Sequence, residues 1–177
     1  MIPSREDCLR LIRKFGMLEN IIDHSIEVAK VALFLSVELN KKGQNIDLHL
    51  VEAAALLHDL TKTESIKTKE DHALTGSKFL KEIGYERVGM IVAEHIQISC
   101  ERDPTLVSEE EVVNYADKRV QHDRIVPLEE RFKDLQERYG KGQKASEQFK
   151  ALKKATLDIE DKIFSILEIH PNRLQDL

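Results

Sequence analysis

The sequence predicts an all-α protein, a single-domain helical bundle of about seven or eight helices. Apolar residues recur at three- and four-residue steps along nearly the whole chain, and no stretch sustains the alternation of a half-buried strand. Seven Gly and four Pro in 177 residues are too few for the turns of a many-stranded sandwich or barrel. Hydrophobic residues at 41% supply one core and not two.

Each helix can be placed in turn. Ser4 with Asp7 three residues later reads as an N-terminal cap, and Leu11, Ile12 and Phe15 follow before Gly16 stops the helix. Ile21, His24 or Ser25, Val28, Val31 or Ala32, Leu35 and Leu39 then draw one apolar stripe on a helix of about 20 residues, ended by Lys41-Lys42-Gly43. From Asp47 to Leu60, the residues between Val51 and Leu57 are small or apolar on almost every side, the pattern of a central buried helix. Residues 61–70 are polar and aperiodic and are expected to form a loop. Helices follow from Ala73 to Gly84 and from Val88 to about Ile98, then a loop from Cys100 to Thr105. Ser108 with Glu111 caps a helix carrying Val112, Val113, Ala116 and Val120, and Pro127 is placed to kink or start a helix that ends at Tyr139-Gly140-Lys141-Gly142. The last long helix aligns Phe149, Leu152, Ile159, Ile163 and Leu167 and stops at Pro171. The charge-dense stretch from Glu129 to Lys154 is expected to be a solvated face, with a lid or substrate arm as the alternative.

Composition excludes several functions. Lys and Arg (27) against Asp and Glu (32) leave a net charge of −5, and aromatics are 5% with no Trp. A nucleic-acid partner is therefore unlikely, because such surfaces are basic and single-strand binders stack bases on aromatic side chains. Cys8 and Cys100 are too few for a disulfide framework or a four-thiolate metal site. No apolar run reaches the roughly 18–20 residues of a membrane span, and the N-terminus lacks signal-peptide order. A cytoplasmic protein with no membrane partner is expected.

The seven histidines remain to be explained. His24 lies on an inward stripe, His58-Asp59 ends the most buried helix, His72 begins a helix and His95 lies near the end of another. Asp117 sits among Val112, Val113 and Ala116. A buried carboxylate costs several kcal/mol unless it is paired or bound to a cation. Lys and Arg are absent from the stripes carrying His24, His58 and His95, so a divalent ion is the economical counter-charge. Imidazole with carboxylate suits Fe, Mn, Zn, Ni or Co, and not the all-oxygen sites of Ca or Mg. His58 and Asp59 can share an ion only where the helix ends, since helical neighbours diverge by about 100°.

The order His24, His58-Asp59, Asp117 resembles the HD-domain superfamily of metal-dependent phosphohydrolases. Ala54-Ala55-Leu56-Leu57-His58-Asp59-Leu60-Thr61-Lys62 looks like its signature, and the likeness continues through Asp71-His72-Ala73, Gly76, Glu94-His95 and Asn114-Tyr115-Ala116-Asp117. It covers about residues 18–125, leaving a C-terminal helical extension over about 126–170. The extra histidines make the chain most similar to two-metal members, including the symmetrical dinucleoside tetraphosphate hydrolases of HD type. It departs from them after Asp117, where Lys118-Arg119-Val120-Gln121-His122-Asp123 replaces an acidic-Pro continuation.

The resemblance implies that His24, His58, Asp59 and Asp117 hold a first metal, and that Asp59 bridges to a second held by His72 and His95. The implied reaction is hydrolysis of a phosphate ester or anhydride of a small molecule, a nucleotide or dinucleoside polyphosphate, with Asp59 and Lys62 as catalytic residues. Lys62, Lys118 and Arg119 are the cations expected to bind substrate. His49 and His170 are expected to be surface or helix-end residues, and His122 a surface residue with a contact to substrate phosphate as the alternative. Two other activities are compatible with the same ligands: a di-iron oxygenase acting on a small substrate, and a non-catalytic metal- or nucleotide-binding module. Homodimerisation is left open.

Overall fold

The computed structural model describes residues 1–99, 103–139 and 143–177, so Cys100 and the expected break at 140–142 lie outside the described residues. Side-chain caps start α1 (Arg5–Lys14), α3 (Leu48–Leu57), α5 (His72–Glu82) and α7 (Glu109–Arg119). Ser4 with Asp7 and Ser108 with Glu111 form full capping boxes on α1 and α7. Between these run α2 (Glu19–Lys41), α4 (Lys62–Thr68) and α6 (Glu86–Glu94), and the chain ends in α8 (Leu128–Tyr139), α9 (Gln143–Leu167) and a 3₁₀ turn, Pro171–Asp176.

α2 buries Ile21, His24, Val28, Ala32, Leu35 and Leu39 and packs on α3 and α7. α3 is enclosed from Leu50 to Leu57 apart from a half-buried Glu52, as its near-uniform apolar surface requires. α5 and α6 cross so closely that a Cβ on Gly89 would lie 2.8 Å from the Ser77 carbonyl oxygen. Only glycine permits that backbone approach, which brings the histidine at the start of α5 to the one at the end of α6.

Three elements differ from expectation. Residues 62–68 are helical, not a loop: α4 buries none of its residues, so it has no apolar stripe to read, and it ends on Lys69 at φ 64°. A two-residue antiparallel pair follows α7, β1 (Val120–Gln121) with β2 (Arg124–Ile125), too short for an alternating pattern. Its turn places His122 at φ 58°. α6 stops at Glu94 rather than near Ile98, because Asn114 Nδ2 and Lys118 Nζ donate to carbonyls that further turns would use. Asn114 binds those of Glu94 (2.9 Å) and His95 (3.0 Å), and Lys118 binds that of His95 (2.7 Å). No helix among the described residues is long and apolar enough to cross a membrane.

Candidate metal centre

Where α3 ends, its residues can turn inward: His58 is the C-cap and Asp59 follows, both buried. Asp71 caps α5 through the amides of Ala73 and Leu74, which fixes His72 as the first helical residue. Thr61 Oγ1 donates to the His72 carbonyl (2.9 Å) and ties the start of α5 to the end of α3. His95 caps α6, His24 comes from α2 and Asp117 from α7. His24, His58 and Asp59 form one group with ligand atoms within 4.8 Å of one another, and Asp59, His72 and His95 form a second. Asp117 Oδ1 joins the first, 3.0 Å from His24 Nε2 and 3.6 Å from His58 Nε2. Asp59 Oδ1 lies 3.1 Å from His72 Nε2 and 3.7 Å from His95 Nε2, and the two imidazoles face each other at 3.2 Å.

Three of the histidines are oriented the same way. The Nδ1–H of His58 donates to Ala55 O (2.7 Å), that of His95 to Val92 O (2.7 Å) and that of His24 to His122 O (2.9 Å). Each bond fixes the ring and leaves Nε2 facing the centre, the outer-sphere arrangement that metal-binding imidazoles use. His58 Nε2 and Asp59 Oδ1 are buried and make no hydrogen bond. Unsatisfied buried groups of this kind call for an explanation, and a cation ligated by nitrogen and carboxylate oxygen supplies one. The donor set therefore fits a divalent transition metal.

The charges are tightly balanced. Burial works against ionisation of Asp59, but the charges of His58 and Lys62 win and hold its pKa well below the carboxylate range. Asp117 is lowered likewise, burial being outweighed by the charge of Lys118, the hydrogen bond with His24 and the nearby charge of His58. Burial would lower the pKa of His58, yet the charge of Asp59 and the approach of Asp117 Oδ1 to 3.6 Å push it up to about 10. His95 goes the other way: burial, reinforced by the charge of His58, lowers it to about 3 and keeps it neutral. Burial would also lower Lys62, but Asp59 and Asp117 raise it.

Two expectations about cations are corrected here. The absence of Lys and Arg from the inward stripes does not leave the carboxylates without protein counter-charge: Lys62 Nζ lies 2.7 Å from Asp59 Oδ2 and Lys118 Nζ 2.9 Å from Asp117 Oδ2. The case for a metal thus rests on the donor set and the unsatisfied atoms. Arg119 does not reach the centre. It is fully buried, with Nε on Val126 O (2.8 Å) and Nη1 on Tyr115 Oη (2.7 Å) and Pro171 O (3.2 Å), and it lies 3.4 Å from Glu160. It anchors α9 and the 3₁₀ turn to α7 instead of meeting substrate. Lys118 lines the cleft but is 4% exposed and held by Asp117 and the His95 carbonyl, so it braces the centre. Lys62, on the first turn of α4, is 38% exposed and faces the cleft.

That cleft, about 650 Å³, also reaches the charge-dense stretch of α8 and α9. Arg131, Leu135 and Arg138 of α8 and Phe149 and Leu152 of α9 line it, so the charge-dense stretch is only partly a solvated face. Their spacing of three and four on one helical face was the available signal, hidden among many solvated charges. His122 is likewise more than a surface residue, since its carbonyl orients His24 and its ring lines the cleft.

A family model described as HD domain matches residues 21–173. The chain belongs to the HD domain family. Its histidine and aspartate groups thus occur in a superfamily of metal-dependent hydrolases. This HD chain is 26% identical over 138 residues to an uncharacterized protein of Methanocaldococcus jannaschii, spanning 70% of this chain and 79% of that one. It is 35% identical over 97 residues, 54% of its length, to a tRNA (cytidine(56)-2'-O)-methyltransferase of Thermoplasma volcanium, and 27% identical over 122 residues, 67% of its length, to ribonuclease Y of Fusobacterium nucleatum. The matched regions are only 27% and 23% of those two longer proteins. No solved structure gives a significant match.

Proposed function

We propose that this HD domain is a metal-dependent phosphohydrolase that cleaves a phosphate ester or anhydride of a nucleotide-class small molecule. One observation carries this reading: six ligand-type side chains from five helical segments converge in two groups that share Asp59, and five of the six, all but the fully buried His58, line one cleft. His24, His58, Asp59 and Asp117 would hold one divalent ion, and Asp59, His72 and His95 a second. Bound there, such ions supply Lewis-acid polarisation of phosphoryl oxygens and ready deprotonation of water near neutral pH. The protein's part is to hold the three Nε2 lone pairs in place through the carbonyls of Ala55, Val92 and His122. Lys62, kept cationic beside Asp59, offers its remaining N–H donors to the charge that builds on the phosphoryl oxygens.

The likeness to ribonuclease Y favours a second substrate, a phosphodiester in RNA. A net charge of −5 and a cleft of about 650 Å³ favour the small molecule. Phosphate release from a nucleotide panel with Mn(II) or Fe(II), run beside a short oligoribonucleotide, tests the proposal. Release from a nucleotide supports it. Cleavage of RNA alone moves the assignment to the second substrate, and oxygen uptake with iron but no phosphate release ends both.

A further inference from the structure

The cleft has a wall that the candidate ligands do not use. On α8, Arg131, Leu135 and Arg138 follow one another at steps of four and three, so one helical face presents cation, apolar group and cation to the cleft. Phe149 and Leu152 of α9 continue the apolar part. Asp134 holds both guanidiniums, 3.4 Å from Arg131 Nη1 and 2.8 Å from Arg138 Nη2, aligning two cations while neutralising one charge. Arg131 is 13% exposed, yet its Nε is buried and makes no hydrogen bond. Its charge also bears unfavourably on Lys62, so two cations face the same space. Arg138 donates to His122 Nε2 (3.3 Å), and the His122 carbonyl accepts from His24 Nδ1 (2.9 Å), which fixes Arg138 relative to the candidate metal ligands.

An unsatisfied guanidinium N–H, an uncancelled positive charge and an adjoining apolar surface suit a ligand that is anionic at one end and flat and apolar at the other. We infer that the α8–α9 wall is the substrate-selecting half of the site. Arg131 and Arg138 bind a phosphate neighbouring the one that reacts, and Leu135, Phe149 and Leu152 pack against the base. The ligand class is a nucleoside polyphosphate with two or more phosphates. Which phosphate reacts rests on the phosphohydrolase reading, whereas binding at this wall does not. Guanidinium–phosphate contacts give the phosphate end fork geometry, and the side chains of α9 give the base end area without charge.

The test is calorimetric titration of the manganese-loaded full chain with ADP, pyrophosphate and adenosine. Wild-type protein is expected to bind ADP more tightly than either fragment. Arg131→Gln and Arg138→Gln are each expected to weaken ADP by roughly tenfold or more, the loss of one charge-assisted contact, with metal content unchanged. Phe149→Ser is expected to weaken ADP but leave pyrophosphate within about twofold, which also shows that this variant is folded. The double arginine variant overturns the inference if it keeps ADP affinity within twofold, or if it loses its metal together with its ligand. An oligoribonucleotide that displaces ADP at equal molarity overturns the choice of ligand class. A wild-type protein that binds ADP as described but releases no phosphate from any nucleotide ends the phosphohydrolase reading and leaves the subsite standing.

Discussion

Asp59→Asn keeps the shape of the shared ligand and removes its charge. Both ligand groups contain Asp59, so the variant is expected to lose both ions and, with them, turnover. The cost to the metal-free fold can be worked from its surroundings. Asp59 Oδ2 pairs with Lys62 at 2.7 Å and with His58 at 3.4 Å, and Asp59 is 1% exposed. Removing one partner of a fully buried pair costs roughly 3–5 kcal/mol. Two releases soften this: Lys62, 38% exposed, can turn toward water, and His58 can shed its proton once the facing charge is gone. About 2 kcal/mol remains, or roughly 4–8 °C in melting temperature for a chain of this size. Wild type should gain further stability from added Mn(II), about 2.7 kcal/mol for each bound ion at a hundred times its Kd, and the variant none. Elemental analysis after dialysis against Mn(II), with melting curves with and without chelator, reads all three effects. A variant that keeps the wild-type metal content, or still melts higher with Mn(II), would refute the shared-ligand reading.

Three further outcomes follow from the same geometry. His72→Ala removes a ligand from the second group only, so metal content should fall from two ions to one per chain, and elemental analysis showing none would contradict two separable sites. In the metal-free protein His58 has its pKa raised to about 10, so the stability from its ion pairing is fully present below about pH 6.5 and is lost as pH rises toward 10. A ligated His58 must give up that proton, so metal binding at pH 7.5 should release about one proton, measured by calorimetry in buffers of different ionisation enthalpy, and affinity should rise with pH. Arg119→Ala leaves the carbonyls of Val126 and Pro171 without their donor and Glu160 without its ion pair, with only Tyr115 Oη still donating to it; it should destabilise the fold by about 3 kcal/mol in denaturant melts and leave metal content and KM unchanged.

Most of the helices were readable because their apolar stripes and caps are local properties of the sequence. α4 and the β1–β2 pair were not, because neither buries enough side chain or runs long enough to leave a period. The grouping of the candidate metal ligands was legible for a different reason. Burial of His58 and Asp59 follows from the apolar run ending at Leu57, and a buried carboxylate announces that it needs a partner. Which partner was not legible: Lys62 and Lys118 reach Asp59 and Asp117 from one turn away and from the adjacent position, off the inward stripes where cations were sought. Arg119 was misplaced because its neighbour Asp117 faces the cleft, while two residues along a helix turn it by about 200° into the α7–α9 core. Arg131 and Arg138 carried no contrast with the solvated charges around them, and only the packing of α8 and α9 separates them.

The central claim is that two cations share Asp59 at the convergence of α2, α3, α5, α6 and α7. Diffraction from Mn(II)-loaded crystals at a wavelength where manganese scatters anomalously tests it most directly. Two anomalous peaks are expected, one among His24, His58, Asp59 and Asp117 and one among Asp59, His72 and His95. No peak in the cleft, or manganese held only by surface carboxylates, would contradict it.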